Sequence, residues 1–592
     1  MNSPQNPSAR SSQAKPSSPL SVILEGFAFL AVIAAVIYLL KSNSTSLHWT
    51  QGYNPTGSFL LSTLVAALPI VVLLGAMAVL RLKAHQAAIA GLVTALIAAT
   101  LVFHMPVRLA FSAAAFGAGY GLFPICWIIL PIIFLYDLTV KTGRFRTLQQ
   151  SLTGITSDSR LQLLLIAFAL GAFFEGTSGF GTPVAVCSAI LISLGFRPLK
   201  AAGLSLLANT APVAFGAMGL PIVALHGVTN LDQFALSHAT AVILLPFDVL
   251  IPFWLIWAFA GFAATIEIWP AIFVSGVTFA VSQYLMATYS GPWLVAIVAA
   301  AATIVVLVAF LRFWQPRRIL DVDLNDVTAQ ARRHHGHTNS AIFNAWLPWL
   351  VLSVVVFLWG LPRISWWMDA HSTVKIPVAG LHNAIQRVPP VVAAAVKEPA
   401  VFNLNWLTAT GTAVLLAALI AGLLMGLPLR TLFLSFVETI FKIRYTLVTI
   451  AAMMAIGYIT RYCGLDATLG LAFARTGPLY PFFGTLIGWL GTASTGSDTS
   501  SNVLFGSLQV ITARQIGVSP VLMASANSAG GVMGKMIDAA SIVVASTATN
   551  IYGQEGSILR FVFFHSLVLA ALAGIFVTLL AYVPLLAALI AH

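Results

Sequence analysis

Phe173-Phe174-Glu175-Gly176-Thr177-Ser178-Gly179-Phe180-Gly181-Thr182-Pro183 is the most unusual segment of this chain. It lies inside an apolar run. No Lys, Arg, Asp or Glu stands between Arg160 and Glu175, and none follows Glu175 until Arg197. A carboxylate, glycines and hydroxyls therefore occupy positions where a membrane-spanning helix carries Leu and Val. An ionisable group at that depth is costly unless it is solvated or paired, so its default reading is a functional site. The glycines point the same way, because non-helical backbone at membrane depth is tolerated only where it lines a cavity or is buried in protein.

A second stretch repeats the arrangement: Gly491-Thr492-Ala493-Ser494-Thr495-Gly496-Ser497-Asp498-Thr499-Ser500-Ser501-Asn502, again with long uncharged flanks. The segments C-terminal to the two stretches also match. Gly195-Phe196-Arg197-Pro198, Asn209-Thr210-Ala211-Pro212 and Gly216 come after the first. Gly517-Val518-Ser519-Pro520, Asn527-Ser528-Ala529-Gly530 and Gly534 come after the second. The Asn-to-Gly spacing is the same in both copies, which reads as a weak internal duplication. Paired Gly/Pro-interrupted apolar segments in corresponding halves are the best sequence pointer to a transporter's binding site.

Composition supports a polytopic membrane protein. Of 592 residues, 59% are hydrophobic and 8% are charged, against about 25% charged in soluble domains; mean hydropathy is +0.94. The net charge of +12 sits in short loops beside apolar spans, the positive-inside pattern, rather than in a nucleic-acid-binding face. Cys126, Cys187 and Cys463 stand in apolar contexts without paired spacing, which argues against disulfides and thiolate metal sites and reads as core packing.

Residues 1–20, rich in Ser, Pro, Gln and Asn, read as a disordered tail. Residues 21–47 hold an additional N-terminal transmembrane helix, retained rather than cleaved, with Glu25 near its start reaching the interface. Residues 48–314 form a first half, with its hairpin motif near 173–219. Its spans are expected near Ser58–Leu80, Ala87–Phe103, Ala110–Tyr136, Thr240–Phe259, Trp269–Met286 and Trp293–Phe313. Residues 315–340 read as a cytoplasmic linker loop, in which His334, His335 and His337 are surface residues rather than a metal cluster. Residues 341–592 form a second half, with its hairpin motif near 491–538. Its spans are expected near Ile342–Leu361, Trp406–Leu427, up to Ile459, and Phe561–Leu589. An outside loop is expected over 362–400, with the neighbours Lys397-Glu398, and another outer loop around Arg461, Asp466 and Arg475. The basic loops Arg81–His85 and Lys141–Arg160 both fall on the inside, which places the N-terminus in the cytoplasm. At about 20 residues per crossing the chain holds about 13 to 15 hydrophobic elements.

The motifs carry specific chemistry. Burial disfavours the charged form of a carboxylate, which makes Glu175 a candidate proton carrier, and Asp498 follows the same logic. Lys535, in Gly530-Gly531-Val532-Met533-Gly534-Lys535-Met536, needs a buried anion: Asp498, Asp538, Glu175 or a substrate carboxylate. That glycine run is not a nucleotide-binding loop, since Ala529 and Met536 break the motif and no strand precedes it. Asn209 and Asn527 offer donor and acceptor without a charge. Gly176, Thr177, Ser178, Gly179, Thr210, Thr495, Ser497, Thr499, Ser500 and Asn502 either meet a substrate oxygen or satisfy opened backbone. Helix N-termini freed by the glycines favour an anion. The expected ligand is a small carboxylate; no metal, cofactor or nucleic acid is expected.

These four motifs, Glu175–Ala185, Asn209–Gly219, Thr495–Asn502 and Gly530–Met536, resemble the bacterial L-lactate permeases, with similarity from about Trp49 to the C-terminus. The resemblance implies proton-coupled uptake of L-lactate, and of glycolate and related 2-hydroxy monocarboxylates, across the bacterial inner membrane. It also implies the wider ion-transporter superfamily: an all-α inverted-repeat transporter with two re-entrant hairpins and an elevator-like transport domain on a dimeric scaffold, hence a homodimer. Glu175 and Asp498 are then the proton-coupling residues. Two features depart from the family pattern: residues 1–47 extend beyond its usual start, and Asp538-Ala539-Ala540 stands where Ser-Pro-Gln is usual. Sodium coupling is the alternative, since unwound carbonyls and hydroxyls suit Na⁺ as well. An intramembrane enzyme is the remote one, and no Gly-x-Ser-x-Gly elbow supports it.

Overall fold

A computed structural model describes residues 48–320 and 338–590, apart from positions 79, 81, 83, 154, 178, 180, 361, 393, 552 and 553. The N-terminal tail, the added helix with Glu25, and the three linker histidines all lie outside the described residues, as does Ser178.

Among the described residues, eight helices are long and apolar enough to cross a membrane. Beside them stand one pair bent by 64° (Pro198–Ala208 with Val213–Thr229) and six shorter apolar helices. The first, Phe59–Ala78, exposes Leu60, Leu61, Leu64, Leu68 and Val71. This is one apolar face at helical spacing, suited to acyl chains rather than to water.

Most expected spans form within a few residues of their boundaries. The exceptions have local causes. The span expected over Ala110–Tyr136 is broken into Val107–Tyr120, a wide turn at Gly121–Cys126, and Trp127–Lys141. Pro124 lies inside that turn, and proline supplies no amide hydrogen to a helix ladder. The last span is Glu555–Tyr582 rather than Phe561–Leu589; Pro584 follows directly, and the residue before a proline is pushed out of the helical region.

Two small sheets make the fold mostly rather than wholly helical. Trp49–Thr50 runs parallel to Ile385–Arg387, which pairs antiparallel with Val396–Glu398. Thr373–Pro377 pairs with Val401–Asn405. The segment expected as a loop over 362–400 is thus an ordered cap. Lys397 and Glu398 do not pair, since successive strand residues point to opposite faces; Glu398 instead bonds Arg461 and Arg387. The outer loop expected around Arg461 is also absent. Arg461 sits buried in the last turn of the helix Leu429–Cys463, and Asp466 lies in the helix Leu465–Ala474.

Leu429–Cys463 is the axis of the bundle. Its 35 residues span roughly 50 Å at 1.5 Å per residue. Near one end, Lys442 meets Asp137 at 2.6 Å, and Lys141 meets Glu438. The other end carries Arg461 and the sheets.

Candidate transport site

Both polar motifs break helices, in the same order in each half. The first hairpin runs down Ser159–Thr177, turns through left-handed Gly179 (φ +57°) and Gly181 (φ +83°), and returns along Thr182–Ser193. The second runs down Tyr480–Thr495, turns at Gly496 (φ +75°) and continues as Asp498–Ile516. Each hairpin is followed by an interrupted helix: Pro198–Ala208 and Gly216–Thr229 in the first half, Pro520–Gly534 and Ala539–Ala548 in the second.

The second interruption is packed by glycine. A Cβ on Gly488 would run into the backbone of Asn527, one on Gly530 into Thr485, and one on Gly534 into Trp489. Small residues let helix backbones approach closely in a membrane. The run at Gly530-Gly531 is therefore a helix-crossing surface, which explains its superficial likeness to a phosphate loop.

All four breaks meet in one small cavity. Glu175, Gly179, Gly216, Ala217 and Pro221 line it from the first half; Gly496, Ser497, Asp498, Thr499 and Lys535 line it from the second. Glu175, Asp498 and Lys535, widely separated in sequence, are all buried. Asn209 Nδ2 donates to Glu175 Oε2 at 3.0 Å, and Oε1 faces Gly216, where an added Cβ would lie 2.6 Å away. Asp498 is more heavily bonded. It accepts from Ser528 Oγ at 2.6 Å, Thr492 Oγ1 at 3.4 Å and Asn502 Nδ2 at 3.5 Å. Lys535 Nζ donates to the Gly496 carbonyl at 2.7 Å and to Asp538 Oδ2 at 2.8 Å. Asp538 in turn caps Ala539–Ala548 by accepting from the amides of Ala540 and Ser541.

The remaining expected site residues divide into two groups. Asn209 Oδ1 and Thr210 Oγ1 are buried with no hydrogen-bond partner among the described residues. Both stand behind the residues that line the cavity, with Asn209 reaching it through Glu175. Ser497 Oγ caps its helix by accepting from the Ser500 amide, and Thr495 Oγ1 donates to the Gly491 carbonyl; Thr177 Oγ1 donates to the Phe174 carbonyl. Asn502 joins the halves, donating to the Pro221 carbonyl at 3.1 Å. Asn527 stands one layer behind the cavity, donating to Asn502 Oδ1 and accepting from Gln509. Gly176 packs against Ala296 and Ile297.

One segment of the motif Asn209–Gly219 carries a feature that the sequence reading does not assign to the site. Ala217 (φ 44°), Met218 (φ 61°) and Gly219 (φ 72°) hold left-handed backbone where the interrupted helix re-enters. Such conformations cost on the order of 1–3 kcal/mol each for non-glycine residues and gather at functional sites. The available signal was Gly216-Ala217-Met218-Gly219 followed by Pro221, a Gly/Pro-interrupted run like the two motifs.

A bundle of membrane-spanning helices enclosing a charged cavity between interrupted segments defines a polytopic membrane protein with a buried polar site. The family model described as L-lactate permease matches residues 62–584. The chain is 41% identical to the L-lactate permease of Salmonella typhi over 543 residues, covering 90% of this chain and 98% of that one. Against the glycolate permease GlcA of Escherichia coli (strain K12) it is 42% identical over 551 residues, covering 90% and 98%. Against the L-lactate permease of Bacillus subtilis (strain 168) it is 41% identical over 555 residues, covering 89% and 98%. The chain belongs to the L-lactate permease family. Its relatives are named as permeases, so it is a transporter and not an enzyme.

Proposed function

We propose that this chain takes up L-lactate, and glycolate or a related 2-hydroxy monocarboxylate, by proton symport across the bacterial inner membrane, with its N-terminus in the cytoplasm. The observation that carries the reading is the shared cavity, in which Lys535 is the cation and Glu175 and Asp498 are two buried carboxylates from opposite halves. The names of the relatives supply the substrate class.

In this mechanism the substrate carboxylate approaches Lys535 and the N-terminus of Asp498–Ile516, where free amides and the helix dipole favour an anion. Its 2-hydroxyl meets Thr499, which lines the cavity, with Asn209 and Thr210 standing behind Glu175 as further polar partners. An anion cannot settle beside two ionised carboxylates without repulsion, so a proton on Glu175 accompanies it. Glu175 suits this role because one amide holds it, whereas three donors hold Asp498. Anion and proton enter together, so loading adds no net charge to the cavity and no extra charge has to be carried through the bilayer. The Lys535–Gly496 hydrogen bond ties the second hairpin tip to the interrupted helix and must break for the tip to open. Motion of the two hairpins as one transport unit against a dimeric scaffold fits the paired organisation of the two halves.

The test is uptake of labelled L-lactate by proteoliposomes under an imposed pH gradient, with sodium replaced by choline. Accumulation that follows the pH gradient and ignores sodium is expected. Accumulation that requires sodium and ignores pH would replace the proton with Na⁺.

A further inference from the structure

A second cavity lies at the sheet-bearing end of the bundle. At about 250 Å³ it is several-fold roomier than the central one at about 40 Å³. Arg461 forms one wall; Tyr120, His226 and Asn403 present polar groups, and Tyr458 and Tyr462 supply aromatic faces. Arg461 is buried, and two of its nitrogens, Nε at 3.0 Å and Nη2, share Glu398 Oε1. Arg387 uses the same carboxylate, through Oε2 at 2.9 Å. Two guanidinium groups thus divide one directly bonded carboxylate, while buried Asp466 lies close by on the next helix.

The other polar groups are unspent. His226 Nδ1 donates to the Leu231 carbonyl at 2.7 Å, so the neutral ring presents Nε2 as an acceptor, which suits the substrate's hydroxyl rather than its carboxylate. The Tyr120 hydroxyl and the Asn403 amide have no partner among the described residues. Arg461 Nη1 also donates to the Val228 carbonyl at 3.2 Å, and the Asn230 amide oxygen accepts from Nη1 and Nη2, so the guanidinium gives the wall its charge rather than free donors. Hydroxyl and amide donors beside that charge, around an open space, are the chemistry that receives a carboxylate.

The position of this cavity supplies the second argument. The helix Gly216–Thr229 lines the central cavity with Gly216, Leu220 and Pro221, and the outer one with His226 and Gly227. From Pro221 to His226 is about 8 Å at 1.5 Å per residue. Tyr458 Oη donates to the Gly227 carbonyl at 3.1 Å, and the Tyr120 ring packs on Gly227, where no Cβ would fit. The two tyrosines therefore stand at the floor of the outer cavity, on the helix that leads down to the central one.

We infer that this outer cavity is a second binding site for the small organic anion, a staging site from which the substrate passes along Gly216–Thr229 to the central cavity. The inference rests on the transport reading above. Arg461 fixes the cap as well as the cavity, so its removal is a poor test. The double variant Tyr120→Phe with Asn403→Leu removes two ligand groups while keeping the wall.

Labelled L-lactate uptake is measured in right-side-out membrane vesicles, alongside equilibrium L-lactate binding to a purified Lys535→Ala chain. The double variant is expected to raise KM for uptake about tenfold, about 1.4 kcal/mol in binding, with maximal velocity kept. Lys535→Ala is expected to retain one weak lactate site, which the added double substitution abolishes. An unchanged KM together with no residual binding in Lys535→Ala overturns the staging site while leaving the transport reading intact. Wild-type vesicles that take up no lactate remove both.

Discussion

The two interrupted segments are built on one plan but spend their polar groups differently. In the first half the break is long, from Asn209 to Gly219, and is held in left-handed backbone. Its carboxylate, Glu175, has one amide donor, and two neighbouring oxygens are left unpartnered. In the second half the break is short. Asp498 takes three donors, Lys535 is tied to Gly496 and Asp538, and the glycines are consumed by helix packing. A buried polar group already bonded within the protein gains little from a ligand, while an unsatisfied one costs energy until it finds a partner. On the proposed mechanism the first half therefore holds the groups whose protonation changes during transport, and the second supplies the electrostatic frame that receives the anion.

Substitutions can break or sharpen this contrast. The largest effect is expected at the frame's cation. Lys535→Ala removes the positive charge of the cavity and leaves Asp538 buried without it, so kcat/KM for lactate uptake falls on the order of 10²-fold or more. Retained uptake would show that the substrate carboxylate is met elsewhere. Asp498→Asn keeps the size of the side chain but weakens charge-assisted bonds from Ser528 and Thr492. A loss of about tenfold in uptake is expected, with coupling to the pH gradient kept; loss of coupling alone would move the proton role from Glu175 to Asp498. Gly531→Ala drives a Cβ into Asp498 and Thr492. Overpacking of this kind costs about 1–3 kcal/mol, read as a lower thermal midpoint of the purified protein. Asn527→Ala should also lower that midpoint, by about 1–3 kcal/mol for a broken buried network, yet leave KM within about twofold; a large rise in KM would bring Asn527 into the ligand shell.

Much of this site is legible in the sequence because a membrane makes polarity conspicuous. Glu175, Asp498 and Lys535 each interrupt a long uncharged run, and the structure brings those three separated residues to one cavity. The glycines were less readable. Gly179, Gly181 and Gly496 turn hairpin tips with positive φ, whereas Gly488, Gly530 and Gly534 serve helix crossing. One residue type answers two demands, and only the partner across the interface separates them. Asn209 and Asn527 show the same limit. They hold matching positions in the two copies, yet one bonds the cavity carboxylate and the other lies behind the lining, because the Pro198-to-Asn209 spacing is four residues longer than Pro520-to-Asn527, about one helical turn. The capping sheets were illegible because their strands are short and pair across the chain, Trp49 with Ile385. Arg461 read as a loop residue because its partner Glu398 is remote in sequence.

The division between a titrating half and a framing half turns on Glu175→Gln, which keeps the side chain's shape beside Asn209 and removes the titratable proton. Proteoliposomes holding this variant are loaded with unlabelled L-lactate and assayed twice, for exchange against labelled lactate and for accumulation under an imposed pH gradient. The expected result is exchange that persists while gradient-driven accumulation is lost. Accumulation equal to that of the wild type would contradict the assignment of the coupled proton to Glu175.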